Sequence, residues 1–600
     1  MARTKLYIRE VDYSQESLTQ LRSDLEKSPD RSKSEAELRH LFRFPTVYIV
    51  HNDTQQSYGE SSYDVYVGET SNIEGRTLQH LNADSKARAD WEAFARAKNP
   101  KMFVIGHDHF NKSLTLDIEN RLMSYLVGVD CVKQLNNRRM NQQLEYYTQD
   151  EFDEIFSKIW RGLRKKNKRL FPAESVIRDS ALFKASPFHK LTQQQLNAKS
   201  AILGSITEAL QNQMNGQLIL VSGDAGAGKT VLLSSLFFEL FQASESPDDP
   251  MSFQDLDAYL LVNHLEQLTV YETIARRLGV LKKDKDRVSR PTRFINQHDP
   301  SRSDDLADVV LVDEAHLLWT QGKQSYRGKN MLEDLLKRSK VVVAVFDEKQ
   351  VLAGNQFWEQ DRLKELRARA DQTIRLTNQM RMDADPSTVQ WIRQLIEQGT
   401  VGQIPPDSRN YEIKIFEDPH ALRDAIKQKA TANDDRGLSR LVATFDWQYS
   451  SARKPPGGTW NVEFGDFCMP WNREIELSPQ EKRAYRGLSW AEQPQTIDEV
   501  GSTFTIQGFD LNVAGVILGP SVQWRDGRIV HVPSESKNSA AKNKRTLSDG
   551  SKADVAEHLL RNELNVLLTR GVHGLYIYAV DPELRARLKE ATDSAAHPTN

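Results

Sequence analysis

The chain of 600 residues has only two cysteines, Cys131 and Cys468. That is too few for a disulfide scaffold or a cysteine-rich zinc site, although His, Asp and Glu could still bind a metal. No apolar run approaches the roughly 18 residues of a membrane span. The opening residues, MARTKLYIREVDYSQES, lack the apolar core of a secretory signal. No repeat of fixed period is present. Nor is there an excess of one charge: 80 Lys and Arg stand against 83 Asp and Glu, a net charge of −3. An overall basic footprint for nucleic acid is therefore missing, though a local one is compatible with these totals. Together the absences point to a reducing compartment, the cytoplasm, and to no membrane partner.

What is present is a chain rich in core-forming residues. Apolar residues make up 39%, with 10 Trp, 17 Tyr and 23 Phe, which excludes a disordered chain. At roughly 100–200 residues per domain, the length suggests about three to five domains. Residues 1–43 read as a helical lead-in, from Leu18, Leu21 and Leu25. Residues 44–150 read as a compact unit of two strand-like stretches followed by helical patterns. Residues 151–190 read as a basic helical linker, because Arg161–Arg169 holds six basic residues in nine. That run fits either a solvated helix end or a phosphate-contacting linker. Beyond it, β-branched runs alternate with helical patterns: Gln217–Ser222, Ala258–Val262, Val309–Val312, Val341–Phe346, Arg440–Thr444, Val513–Leu518 and Leu575–Val580. Such alternation predicts an α/β fold with parallel sheets covered by helices, divided into domains at 191–375 and 376–590. Residues 534–554 are poor in apolar residues and predict a mobile surface loop.

The strongest motif is Gly223-Asp-Ala-Gly226-Ala-Gly228-Lys229-Thr230, between the strand QLILVS and the helical run VLLSSLFFELF. That is the context of a phosphate-binding loop, in which backbone N–H groups and a helix N-terminus face phosphate. Lys229 is expected to reach the β- and γ-phosphates and Thr230 to hold Mg²⁺. The stretch Val309-Val-Leu-Val-Asp313-Glu314 supplies the acidic partner. Asp313 is expected to order the Mg²⁺ and Glu314 to polarise the attacking water.

Further motifs follow in order: Asp347-Glu-Lys-Gln350, Leu376-Thr-Asn-Gln379-Met-Arg381, Thr503-Phe-Thr-Ile-Gln507-Gly508 and Asn565-Val-Leu-Leu-Thr569-Arg570-Gly571. With them, residues 180–585 resemble the superfamily-1 helicases, and more closely the bacterial relatives of the Schlafen helicase-like domain. That group carries an Asn-His-x-x-Gln-Leu stretch, here Asn263–Leu268, and a Leu-Thr-x-x-Gln stretch, here Leu191–Gln195. The resemblance implies two RecA-like lobes clamping one ATP. It implies Gln195 at the adenine, Gln350 as γ-phosphate sensor, and Arg381 and Arg570 as arginine fingers from the second lobe. An insertion around 447–495 contains Trp447, Trp460, Phe464, Phe467, Trp471, Tyr485 and Trp490. It reads either as a base-stacking platform or as a satellite core.

In the N-terminal unit, VYIV and VYVGET read as two strands of a hairpin with a long polar loop. A helix follows with Arg76 and His80 on one face, then Glu119 in LDIENRLMSYL and Asn136 and Asn137 in QLNNRRMNQ. Residues 44–145 resemble the GIY-YIG nuclease domain, with Val47 and Val67 in place of the Gly and Ile of the name. The interval from Tyr48 to Tyr66 is longer than usual for that family. The resemblance implies that Tyr48 and Tyr66 orient or deprotonate water and that Arg76 stabilises charge on phosphorus. It also implies that His80 assists the base, Glu119 binds one divalent metal, and an asparagine, Asn136 or Asn137, closes the site.

The expected function is thus an ATP-dependent nucleic-acid motor carrying a metal-dependent endonuclease, acting on DNA before RNA, in phage defence or restriction. Alternatives are an NTP-gated nuclease that does not unwind, or an ATPase with a non-cleaving nucleic-acid-binding N-terminal domain. The implied cofactors are ATP and Mg²⁺, one divalent ion at each site. A second copy of the chain and defence-system proteins are further candidate partners.

Overall fold

A computed structural model describes residues 4–55, 61–137, 146–223, 226–243, 256–279, 287–299, 305–322, 326–377, 381–431, 438–450, 452–455, 458–485 and 488–593. The chain forms two compact units, residues 1–191 with 271–286, and residues 192–270 with 287–600. Of the expected motifs, Asp224 and Ala225 in the phosphate loop, Gln379 and residues 138–145 lie outside the described residues.

The first unit is built on a five-stranded sheet. Its strands are β1 (Leu6–Asp12), β2 (Thr46–Gln55), β3 (Ser61–Thr70), β4 (Lys101–His107) and β5 (Val132–Leu135), in the order β1-β4-β2-β3-β5. The expected hairpin is β2 paired antiparallel with β3. The expected helical lead-in is corrected in part. Leu6–Asp12 pairs antiparallel along β4, and only then do helices Gln15–Glu26 and Arg31–Leu38 follow. The apolar run of this edge strand is only Leu6-Tyr7-Ile8, cut short by Arg9 and Glu10, and too brief to read as a strand by itself. The expected basic linker is also corrected. Helix Phe152–Lys166 buries Ile155, Phe156, Ile159, Trp160 and Leu163 in the core of this unit. It approaches β1 so closely that a Cβ on Gly162 would lie 2.6 Å from Ile8 Cδ1. The six basic residues of 161–169 are all exposed, three of them in the last turn, where cations complement the helix dipole.

The second unit contains two parallel sheets. In lobe 1, β6 (Gln217–Gly223), β7 (Ala258–Val262), β8 (Val288–Ser289), β9 (Ala307–Asp313), β10 (Ser339–Phe346) and β11 (Gln372–Leu376) take the order β11-β6-β10-β9-β7-β8. Every pairing is parallel. Lobe 2 adds β12 (Glu412–Ile415), β13 (Arg440–Ala443), the hairpin β14 (Asn461–Phe464) and β15 (Phe467–Pro470), and β16 (Val500–Ser502). After these come β17 (Leu511–Leu518), the hairpin β18 (Val522–Arg525) and β19 (Arg528–His531), the two-residue strands β20 (Arg545–Thr546) and β21 (Lys552–Ala553), and β22 (Gly571–Ala579). Its main sheet has the order β12-β22-β17-β13-β16.

All seven expected runs are strands of these two sheets, so the α/β reading with RecA-like lobes holds. The strands that sequence patterning missed, β8, β11, β12 and β16, are short and lie at or next to sheet edges, where burial on both faces is lost. β6, β9 and β10 are central, β9 and β10 buried at all but one residue each and β6 buried over Leu218–Val221. Their C-terminal ends therefore present loops at one edge of the sheet, where open α/β sheets bind ligands.

Two further expectations change. Trp447, Trp471, Trp490 and Phe467 are buried, and all but Trp490 pack in the lobe 2 core around Leu441 and Tyr576. The indole N–H groups of Trp447, Trp460 and Trp471 donate to backbone carbonyls of Glu463, Ser450 and Gln448. The insertion is a satellite core, and its tryptophans are not a stacking platform. The expected mobile loop at 534–554 is instead an ordered strap from lobe 2 onto lobe 1. Buried Arg545 donates to Thr320 Oγ1 at 2.9 Å and Gly354 O at 2.7 Å. Ser548 bonds both carboxylate oxygens of Glu359 through its N–H and hydroxyl. The segment is ordered by polar partners on another lobe, which composition does not register.

Candidate active sites

In the second unit, β6 runs into the glycine loop and helix Lys229–Ala243. Gly226 and Gly228 take φ of +86° and +72°, a left-handed backbone that side chains resist. Lys229 is buried on the loop, its Nζ donating to Gly223 O at 2.7 Å and facing Asp347 Oδ2 at 3.4 Å. Gln350 Nε2 donates to the same Asp347 Oδ2 at 2.7 Å. Its Oε1 accepts from Arg570 Nη2 of lobe 2 at 2.8 Å. A chain Lys229–Asp347–Gln350–Arg570 therefore crosses between the lobes.

Charge balance holds this chain together. Burial pushes the Asp347 carboxyl up, but Lys229, His316 and the Gln350 hydrogen bond outweigh it and hold it below the usual range. Burial, then neighbouring Arg381, brings the Arg570 guanidinium down to about 9, so it stays charged at neutral pH. Arg381 is engaged by Asp510 at 2.5 Å, within lobe 2. Gln195 completes a capping box with Thr192 and donates to the loop carbonyl of Gly228 at 3.2 Å, which braces the phosphate loop.

Asp313 ends β9, and Glu314 takes a strained left-handed φ of +49°. Gln267 Nε2 donates to Asp313 Oδ2 at 2.8 Å. Gln267 Oε1 is buried with no hydrogen-bond partner, and Glu314 Oε2 lies 3.3 Å from buried His316 Nε2. Glycine loop, buried lysine, hydroxyl of Thr230, adjacent acids and the unpartnered Gln267 Oε1 fit a Mg²⁺-bound nucleoside triphosphate. Among these residues Asp347 and Gln267 had no role assigned from sequence. Both sit inside quoted motifs, and their spacing was the available signal.

Residues 216–581 match the family model described as Schlafen group 3, DNA/RNA helicase domain. The chain belongs to this Schlafen helicase family. An uncharacterized protein of Saccharomyces cerevisiae is 36% identical over 464 residues, covering 72% of this chain and 97% of that protein. Among solved structures, a DEAD box protein from the hyperthermophile Methanococcus jannaschii is similar at 11% identity and a TM-score of 0.27, covering 71% of this chain and 96% of that one. PCH-2 of C. elegans is similar at 19% identity and a TM-score of 0.18, covering 40% and 60%. The Schlafen helicase domain is a helicase-like ATPase fold, which implies ATP, Mg²⁺ and nucleic acid as its ligands. No helix of the described residues is long and apolar enough to cross a membrane.

The first unit gathers the other set of expected residues. Tyr48 pairs with Gly68 and Val50 with Tyr66 across the hairpin, so both tyrosines share one face. Their rings lie 6.0 Å apart. Gly68 is required there, since a Cβ would lie 2.4 Å from Tyr48 Cζ. Helix Ile73–Gln79 brings Arg76 against both phenols, and a π-helical turn at His80–Asp84 carries His80 inward. Tyr48 Oη lies 2.8 Å from His80 Nε2, and His80 Nδ1 lies 2.6 Å from Asp84 Oδ2. Trp91 stacks on the imidazole at 3.6 Å between ring centroids.

Burial pushes the Tyr48 phenol well up, with Arg76 pulling the other way. Burial and then Arg76 bring His80 down to about 4, against the pull of Asp84. The neutral imidazole can thus donate from Nδ1 to Asp84 and accept the Tyr48 proton at Nε2.

Glu119 is buried on helix Lys112–Val127, and its Oε1 accepts from Asn137 Nδ2 at 2.5 Å. The same amide donates to Val67 O at 2.6 Å. Of the two expected asparagines, Asn136 and Asn137, it is Asn137 that meets Glu119. Successive residues of extended chain point to opposite sides, so only one of the two can reach the acid. Asp84 and Trp91 were missed from sequence, although Asp84 stands four residues after His80, a helical-neighbour spacing. The described residues contain no cluster of three or more His, Cys, Asp or Glu able to hold a metal. One carboxylate fits an ion such as Mg²⁺, which takes few protein ligands and completes its shell with water and substrate phosphate.

Proposed function

We propose that this Schlafen-family protein is a nucleic-acid-directed ATPase that carries a metal-dependent GIY-YIG endonuclease, with DNA as its first substrate. The observation that carries the nuclease reading is the buried chain Tyr48–His80–Asp84 beside Arg76 and the Glu119–Asn137 pair. A divalent ion at Glu119 would supply a Lewis acid to the phosphodiester. The chain's own groups do the rest. Tyr48 passes its phenolic proton to His80 Nε2 and takes one from the attacking water. The water oxygen bonds to phosphorus, the bond to the leaving oxygen breaks, and Arg76 offsets the charge that develops. Asp84 stabilises the imidazolium.

On the ATPase side, Lys229 and Thr230 would hold the phosphates and the metal with Asp313. Glu314 would orient water, and Arg570 and Arg381 would face the transferring group. The setting we propose is restriction of, or defence against, invading nucleic acid, and it rests only on the pairing of a nuclease with a helicase-like ATPase. A second reading, a nucleotide-gated nuclease that does not unwind, is favoured by the strap of Arg545 and Ser548, which restrains separation of the lobes.

The test is cleavage of supercoiled plasmid with Mg²⁺, with and without ATP, by the parent, Glu119→Ala and Lys229→Ala proteins. Nicking by the parent and not by Glu119→Ala is expected. Loss of the ATP response in Lys229→Ala is also expected. Equal cutting by Glu119→Ala would sink the nuclease reading, and strand displacement by the parent would sink the gated one.

A further inference from the structure

Lobe 2 crosses to lobe 1 at a strained turn. Asn472 and Arg473 follow strand β15 and take successive left-handed φ values of +61° and +71°. Neither is glycine, and such strain persists only where the surroundings impose it. Here buried Glu499 accepts from the backbone N–H groups of Arg473 and Ile475 and from Trp490 Nε1, while Tyr449 Oη donates to Asn472 O. The Asn472 side chain is 4% exposed, and neither polar atom of its amide has a hydrogen-bond partner. The turn aims Arg473 across the cleft at Glu266, with which it forms an ion pair.

Glu266 stands in the first turn of helix Leu265–Arg277, and the next residue is Gln267, which holds Asp313 Oδ2 at 2.8 Å. One turn of one helix is thus tied to lobe 2 by Glu266 and to the nucleotide-site acid by Gln267. On the lobe 2 side, Arg473 is 46% exposed and continues into an open groove of about 370 Å³. Lys454, Lys482, Tyr485 and Gln493 line it, with Glu474 and Glu476 as its acidic members, and Lys454 pairs with Glu476. Cations beside an aromatic and an amide are the groups that grip a single nucleic-acid strand. A phosphate is the chemical equal of the Glu266 carboxylate as a partner for guanidinium.

We propose that Arg473 is a strand-contacting residue, and that Glu266 and Gln267 are the positioning residues that couple the strand to the ATP site. In the closed pair Arg473 holds Glu266, and Gln267 holds Asp313. A strand phosphate replaces Glu266 at Arg473, the first turn of the helix is freed, and Gln267 gives up the acid to the metal-bound nucleotide. The inference rests on the ATPase reading above and on a nucleic-acid ligand.

The test uses the full-length protein with a fluorescent single-stranded oligonucleotide, read by anisotropy without nucleotide, and by ATP turnover with and without the same strand. Removing the competitor in Glu266→Gln should tighten strand binding several-fold, raise basal turnover, and shrink the stimulation by strand toward unity. Arg473→Ala should weaken binding about tenfold and lower the slope of log affinity against log salt by about one. In Arg473→Ala, the further change Glu266→Gln should leave affinity unaltered. Parent-like affinity in both single variants would overturn the proposal. Because anisotropy needs no hydrolysis, the strand contact of Arg473 and its competition with Glu266 stand or fall even if no turnover depends on Lys229, an outcome that would count against the ATPase reading and the coupling to it, and not against the strand contact. Arg473→Lys, which keeps the charge on a native-sized side chain, separates misfolding from loss of contact by restoring part of the affinity.

Discussion

The two candidate sites are assembled in different ways. The first-unit site is local: one hairpin face, the helix that follows it and one later helix bring Tyr48, Tyr66, Arg76, His80 and Glu119 together around an aromatic core. The nucleotide site is distributed, with Lys229 and Asp347 from lobe 1 joined to Arg570 from lobe 2 through a single glutamine. A local site is held by packing, so it is preorganised as soon as the unit folds. A distributed site exists only when the lobes meet, so its strength can depend on what else bridges them.

The largest expected break in this comparison is at Arg570. Arg570→Lys keeps a cation but loses the planar reach to Gln350, and kcat for ATP should fall about 10²–10³-fold with nucleotide affinity changed little. Turnover within threefold of the parent in a steady-state assay would mean that the inter-lobe chain does not face the phosphoryl group. The local site should break less sharply. Asp84→Asn removes the charge beside His80 Nδ1 and adds an amide donor that no longer fixes the tautomer, and cleavage kcat should fall about 10²-fold while KM stays level. An unchanged kcat, or a loss carried by KM, would assign Asp84 to structure alone.

The smallest effect is on the pH dependence of stability. Glu563, buried in lobe 2, is pushed up to about 8 by burial and then by Asp446. A carboxyl raised on folding adds stability that is full below its unfolded value, about 4.3, and is lost as pH rises through about 8. His51, His80 and His107 in the first unit and His531 in lobe 2 are held down to about 4, chiefly by burial, so their contribution has the opposite sign and is lost as pH falls from about 6.5 toward 4. Glu563→Gln should flatten the decline of the melting temperature between pH 5 and 8 and leave the acid limb untouched. An unaltered slope on the alkaline side would show that Glu563 does not titrate in that window.

Legibility followed the same division. The glycine loop, Asp313 and the seven central strands were readable because each is a short motif fixed by local geometry: left-handed glycines, a strand end, a run buried on both faces. The hairpin register that places Tyr48 opposite Gly68 follows from side-chain alternation. Asp84 was within reach as a neighbour four residues after His80. The choice of Asn137 over Asn136 was not readable, since it depends on which face of an extended segment meets Glu119.

Periodicity and phosphate-loop chemistry act over a few residues, so the α/β class, the two-lobed helicase-like fold and the residue types at both candidate sites are written in the chain. It took the folded arrangement to make the polar stretch 534–554 a strap between the lobes, to bury Trp447 and Trp471 of the insertion as core, and to bring Arg473, Glu266, Gln267 and Asp313 into one line. Those facts depend on contacts between segments far apart in the chain. A polar residue there is ordered by its partner, which no local pattern contains.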